Sequence, residues 1–336
     1  MDIVTQGLLG ATVAVSGARK AEIKQAAWMG GFAGILADAD ILIRSGSDPL
    51  LNLEFHRHFT HALIFIPLGA LIAAGLIWLL TRLFSSTDLS FRRMYYYAFL
   101  GYMLSGVLDA FTSYGTYLYW PFYDDRIAWS LVSIIDPLFS GILIVALVFA
   151  IKRQWTNATR IGLGLCVFYL AFSYAQSQAA YKAMTALASS RGHEVQRHVV
   201  KPTFGNVLLW RTVYLHDEVY YIDAVNTAFN NKIYPGTSVP ALVMNDAYPQ
   251  LDASSQQYRD IQRFDYFSDG FTATSAEQPN LVIDVRYSMI PTSAKPMWGV
   301  EIDPEQPDTH APFVTFRDRE PGQYRLFIDM VLGRDT

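Results

Sequence analysis

The run ALIFIPLGALIAAGLIWLL, from Ala62 to Leu80, constrains this chain more than any other feature. It carries no charge over the roughly 20 residues that a helix needs to cross a bilayer, so it reads as a transmembrane helix. Further apolar segments run from Met94 to Leu108, from Pro137 to Ile151 and from Ile161 to Tyr181. Two shorter ones, residues 3–18 (IVTQGLLGATVAVSGA) and 25–37 (QAAWMGGFAGILA), are uncharged and rich in small residues. Gly7, Gly10, Ala11 and Ala14 in the first, with Gly30, Gly31, Ala33 and Gly34 in the second, allow two helix backbones to approach closely. The expected architecture is an α-helical membrane bundle of four long and two short helices over residues 1–180.

After about Gln178 the texture changes. AYKAMTALASSRG extends the last helix, and then EVQRHVVKP, NVLLWRTVYL, EVYYIDAV, NLVIDVRYSM, WGVEID and QYRLFIDM follow. β-Branched and aromatic residues alternate with polar ones between Gly, Pro, Asn and Asp, the pattern of half-buried antiparallel strands. SSQQYRDIQRFDYF instead spaces Tyr258, Ile261, Phe264 and Phe267 as a helix. Residues 181–336 are thus expected to form a small β-rich soluble domain, making the chain α+β overall.

Basic residues supply an orientation. They cluster at Arg19/Lys20/Lys24, at Arg82/Arg92/Arg93 and at Lys152/Arg153/Arg160. Threading six segments alternately through a bilayer puts all three clusters on one side, which the positive-inside rule makes cytoplasmic. Asp2, Asp38, Asp40, His56, His58, His61, Asp109, Asp136 and everything after Tyr181 then fall on the opposite, non-cytoplasmic side of a multi-pass membrane protein. Asp2 precedes the first apolar stretch and the positive charges follow it, unlike a cleavable signal peptide.

Those acidic and imidazole groups gather in ADADILIRSGSDPLLNLEFHRHFTHA, Ala37 to Ala62, directly before the clearest span. Carboxylates and imidazoles are the ligand set of divalent metals, and ionisable groups are costly beside hydrocarbon. Asp38 and Asp40, two apart, do not share a helix face, so they suit a frayed helix end where both can turn to one point, with plain solvated end residues as the alternative. His56 and His61, five apart, suit an incoming loop and a helix start, with Thr60 as the cap. Asp109, between apolar neighbours, needs a metal, a cation or a helix-end hydrogen bond. Asp136 before Pro137 reads as an ordinary N-cap. The planar fork of Arg57 suits an anionic substrate such as a phosphate, or simply solvent.

With net charge −4 and no long basic run, nucleic acid is not expected as a partner. The single cysteine, Cys166, excludes an internal disulfide and zinc-finger spacing.

DIVTQ near the start, LADAD, HRHFTH and LDAFTSYGT, in this order, resemble the motifs of the YdjM-like family of LexA-regulated, membrane-bound metal-dependent hydrolases of bacterial inner membranes. The resemblance covers roughly residues 1–180, and the β-rich segment is similar to the extension of a proteobacterial branch. It implies that Asp2, Asp38, Asp40, His56, Arg57, Thr60, His61 and Asp109 match family positions. Gln6 and Ser105 stand where histidine is common, which shifts metal preference from zinc toward manganese or magnesium.

On this reading the metal ligands are Asp38, Asp40, His56, His61 and Asp109. The catalytic residues are Asp40 or Asp2 as general base and Arg57 as substrate anchor. The expected activity is hydrolysis by a metal-activated water, acting on a phosphoester or lipid-linked substrate at the periplasmic face, with membrane lipids as partners. The alternative is a non-catalytic membrane protein with a structural or transport metal site and a periplasmic partner-binding domain.

Overall fold

A computed structural model describes residues 1–84, 87–228, 230–317 and 321–335. A helical N-terminal region is followed by antiparallel sheets, an α+β arrangement. The chain divides into two units: residues 1–42, 55–174 and 204–206 form the first, and residues 43–54, 175–203 and 207–336 the second.

The first unit holds α1 (Ile3–Ser16), α2 (Ile23–Leu36), the end of α3 (Leu51–Phe55), α4 (Ile66–Phe84), α5 (Phe91–Tyr102), α6 (Ser105–Ala110), α7 (Pro137–Arg153) and the first half of α8 (Asn157–Ser190). Among the described residues, two stretches are long and apolar enough to cross a membrane, Leu63–Phe84 and Asn157–Ser190. α1 and α2, with 14 residues each, and α7, with 17, fall short of that test. The expected segment Met94 to Leu108 is not one helix. It breaks at Met103 and Leu104 into α5 and α6, and the break lets Gly106 pass directly beneath the carbonyl of His61, where any added methyl would collide.

Glycine also sets the helix crossings. A Cβ on Gly30 would meet the Gly10 carbonyl and the Ala14 side chain, and one on Gly101 would meet Gly30 itself. α1, α2 and α5 therefore touch backbone to backbone, around a core of Ala14, Ala26, Met29, Ala33, Ala73, Ala74 and Tyr97.

α1 starts at the carboxylate of Asp2, which accepts from the amides of Val4 and Thr5. α7 starts at Asp136, which accepts from the amides of Leu138 and Phe139 and from the Tyr169 hydroxyl at 2.8 Å. At the far end of α1, Arg160 donates to the Ser16 carbonyl and Arg93 pairs with Glu22 at 2.6 Å. The basic turns thus meet at one end of α1 and Asp2 lies at the other, about 21 Å away at 1.5 Å per residue.

The second unit contains β1 (Arg197–Pro202), β2 (Leu209–His216), β3 (Val219–Asn226), β4 (Lys232–Tyr234) and β5 (Ser238–Pro240), then α9 (Met244–Ala247), α10 (Gln256–Phe267), β6 (Thr272–Thr274), β7 (Leu281–Asp284), β8 (Trp298–Glu301), β9 (Phe313–Thr315) and α11 (Gln323–Val331). One antiparallel sheet has the order β1-β2-β3-β4, with β5 also on β3; the other runs β6-β7-β8-β9. Val213, Ile222 and Val239 from the first sheet pack with Ala273, Leu281 and Ile283 from the second. α10 buries Ile261 and Phe264, as its spacing indicates.

QYRLFIDM is a correction: it is helix α11, not a strand. Its apolar residues Leu326, Phe327, Met330 and Val331 also satisfy a helical face, and they pack on Leu209, Ala224 and Tyr234. The short alternation fitted both periods, and this apolar surface decided for the helix.

Candidate metal centre

Three stretches of the first unit converge near the start of α1. Asp38 and Asp40 come from the 3-10 turn Ala37–Leu42 that continues α2, His61 from the 3-10 turn Phe59–His61, and Asp109 from α6. Asp40, His61 and Asp109 are buried, and Asp38 is nearly so. One ligand atom from each of Asp38, His61 and Asp109 lies within 4.8 Å of the others.

His61 Nε2 stands 3.3 Å from Asp38 Oδ1 and 3.1 Å from Asp109 Oδ2. None of these three buried atoms makes a hydrogen bond of proper geometry. Donors 2.0–2.2 Å from a common ion stand about 3.0–3.5 Å apart along the edges of its coordination polyhedron, so the spacing fits ligands around one metal. These atoms meet one another, and Asp109 Oδ2 also meets Arg57 Nε, only as ion-pair contacts at 3.1–3.3 Å, and buried polar atoms left without a hydrogen bond leave room for a further partner. The set of one imidazole and two carboxylates suits a divalent ion such as zinc or manganese.

Around these three the other residues hold the framework. Asp40 Oδ1 faces His56 Nδ1 at 3.1 Å. Its Oδ2 accepts from the Arg57 amide at 2.8 Å and the Thr60 hydroxyl at 2.6 Å, and faces His61 Nδ1 at 3.3 Å. Asp40 thus stands behind His61, on the ring nitrogen opposite the one that faces Asp38 and Asp109, in the manner of a carboxylate that orients a metal-bound histidine. Burial raises the Asp40 pKa, but the bonds from His56, His61 and Thr60 outweigh it and hold the carboxylate well below its usual range. For His61, burial favours the neutral ring, and Asp109, Asp38 and Asp40 overcome that and keep it protonated far above an ordinary imidazole. A proton and a metal ion therefore compete for the same nitrogen.

Thr60 does not cap the following helix. Its hydroxyl joins Asp40 to His61 Nδ1, at 3.0 Å, and its carbonyl accepts from Tyr102. α4 begins only at Ile66, after a further 3-10 turn.

Arg57 lies at φ 60, which side chains other than glycine rarely adopt. Its amide is tied to Asp40 and its carbonyl accepts from Thr116 and Tyr117. The guanidinium turns inward: Nε pairs with Asp109 Oδ2 at 3.1 Å, Nη1 donates to Thr112 and Nη2 to the Met1 carbonyl. Asp109 Oδ1 is met by the Met1 amino group. Arg57 therefore neutralises Asp109 at the same oxygen that faces His61. This inward fork depends on one backbone torsion, which nothing in HRHFTH announces.

Among the expected site residues, Asp38, His61 and Asp109 come together. Asp40 is adjacent to His61, and His56 sits on Asp40 with a quarter of its side chain exposed. Asp2 serves as the α1 cap, its second oxygen taken by the Thr5 hydroxyl. Gln6 and Ser105 touch each other, Gln6 Nε2 donating to the Ser105 carbonyl at 3.2 Å.

A helical unit with two apolar stretches of membrane length among its described residues, carrying a buried His/Asp cluster near the start of α1, defines a membrane protein with a possible metal site. The family model described as YdjM inner membrane protein matches residues 1–180, and the chain belongs to that family. No curated protein matches the chain, and no solved structure does.

Proposed function

We propose that the chain is a multi-pass inner-membrane hydrolase that uses one divalent ion, held by Asp38, His61 and Asp109, at the periplasmic face. The observation that carries this reading is the convergence of three buried ligand atoms that make no hydrogen bond and lie within 4.8 Å of one another. The basic turns at the opposite end of α1 support the orientation. A single ion fits because Gln6 and Ser105, where the family pattern favours histidine, are joined by a hydrogen bond.

A bound ion would lower the pKa of a water toward neutrality and polarise the bond under attack. Asp40 fixes the ring of His61 through Nδ1 and, through its other oxygen, the ring of His56. We assign proton transfer to His56, whose ring is oriented by Asp40 and partly exposed. Arg57 keeps Asp109 ionised. A site at the periplasmic face suits a phosphoester or lipid-linked substrate, phospholipid first.

The complete burial of His61 and Asp109 favours a second reading, a structural ion without turnover. Detergent-purified protein loaded with zinc or manganese and given phospholipid vesicles separates the two. The hydrolase reading expects release of a water-soluble phosphoester product, lost in Asp38→Asn and reduced about 10²- to 10⁴-fold in His56→Ala at metal concentrations that saturate the variant. Product formation that is indifferent to chelation and to both substitutions contradicts it.

A further inference from the structure

The segment Ile43–Glu54 is the part of the N-terminal half that belongs to the second unit. It separates the turn carrying Asp38 and Asp40 from the motif carrying His56 and His61. Leu50 on it is completely buried against Tyr248, Leu251, Ile261 and Phe264. The guanidinium of Arg263 on α10 grips it from two sides, donating to both oxygens of Asp48, at 3.1 and 2.8 Å, and to Glu54 at 2.7 Å. Arg263 is itself braced by Asp260 at 2.9 Å. Asp260 is wholly buried and also accepts from the Ala311 amide, with His310 Nδ1 at 2.9 Å. Asp48 in turn accepts from the Leu50 amide. The segment is thus fixed by one apolar anchor and one multidentate arginine, a far more definite hold than a solvated surface loop receives.

We propose that Arg263 is a positioning residue for the metal centre, acting through this segment. The proposal rests on the metal reading above for its functional meaning. Asp38 and His61 meet only when the chain between them closes a loop, and closing a free loop costs entropy that grows with its length. Holding Ile43–Glu54 in the second unit removes most of that freedom before the ion arrives. Glu54 lies two residues from His56 and Ile43 three from Asp40, so a slack segment passes its motion straight to the Asp40–His56 contact. The second unit then has a task in the chemistry: it presets the geometry of a site to which it supplies no ligand.

The test uses the full-length protein in detergent, as wild type, Arg263→Met, the double variant Asp48→Asn with Glu54→Gln, and Arg191→Met. The last breaks the comparable pair of Arg191 with Asp223 elsewhere in the second unit. Hydrogen exchange in the metal-free state is read at residues 37–42 and 55–61, beside zinc and manganese affinity by competition with a chromophoric chelator. Both grip variants are expected to speed exchange in the two flanks and to weaken metal binding about 3- to 10-fold, with Arg191→Met unchanged in both. Unaltered exchange in the flanks of both grip variants overturns the proposal, as does equal acceleration by Arg191→Met. Should the wild type bind neither ion while the flanks still loosen, the metal reading fails and the positional one stands.

Discussion

Replacing Asp38 by asparagine separates a metal ligand from a structural ion pair, because the two roles predict opposite balances. In the metal-free protein Asp38 Oδ1 lies 3.3 Å from His61 Nε2, an attraction of about 5 kcal/mol at an effective dielectric near 20 when the ring is protonated. Its ligand atom also lies within 4.8 Å of that of Asp109, a repulsion of about 3.5 kcal/mol or more on the same scale. The two nearly cancel, so Asp38→Asn should change the stability of the metal-free protein by no more than about 2 kcal/mol. Metal binding should respond much more strongly, since an anionic donor is lost from a set of three; a weakening of at least about 100-fold corresponds to about 2.7 kcal/mol. At a free metal concentration 100 times the wild-type Kd, the ion stabilises the wild type by about 2.7 kcal/mol and the variant by only about 0.4 kcal/mol. Thermal unfolding in detergent with and without zinc or manganese reads the difference. An asparagine variant that binds metal like the wild type refutes the reasoning, and so does one that loses more than about 3 kcal/mol without metal.

Three further outcomes follow from the same geometry. His56→Ala should lower metal affinity about 10- to 100-fold, as loss of a supporting contact does, whereas His61→Ala should remove binding altogether; equal effects in a chelator competition would put both rings on the ion. Gly106→Ala forces a methyl into the His61 carbonyl and should cost about 1–3 kcal/mol of stability as well as metal affinity, read by melting and titration. In the second unit, burial raises the Asp48 pKa, but Arg263 outweighs it and holds the carboxylate below its ordinary 3.8. A depressed carboxylate stabilises the fold above its unfolded pKa and loses that contribution as pH falls through the folded value. Protease resistance of the second unit should therefore decline below about pH 4 in the wild type, and the decline should be shallower in Arg263→Met; identical acid profiles would deny Asp48 that role.

Much of this was legible in the sequence, for definite reasons. Asp136 before Pro137 announced a capped helix, and the glycines of α1 and α2 announced a close crossing, because both signals are local. The cluster of Asp38, His61 and Asp109 could be suspected from the cost of charge beside apolar spans. The partition of roles could not. Whether His56 or His61 faces Asp109 depends on the 3-10 turns before α4 and on the left-handed torsion of Arg57, which tertiary contacts impose. The assignment of Ile43–Glu54 to the second unit rests on Leu50 and Arg263, more than two hundred residues apart, and no local pattern carries such a pairing. α11 was misjudged because eight residues with alternating apolar positions fit two periods at once.

The central claim, that Asp38, His61 and Asp109 share one divalent ion, is tested most directly by X-ray absorption at the metal edge of detergent-purified protein loaded with zinc or manganese. The account predicts a first shell of oxygen donors with a single imidazole, and loss of the imidazole signature in His61→Ala. A shell with two or more imidazoles, a shell with none, or no bound metal at all would contradict it.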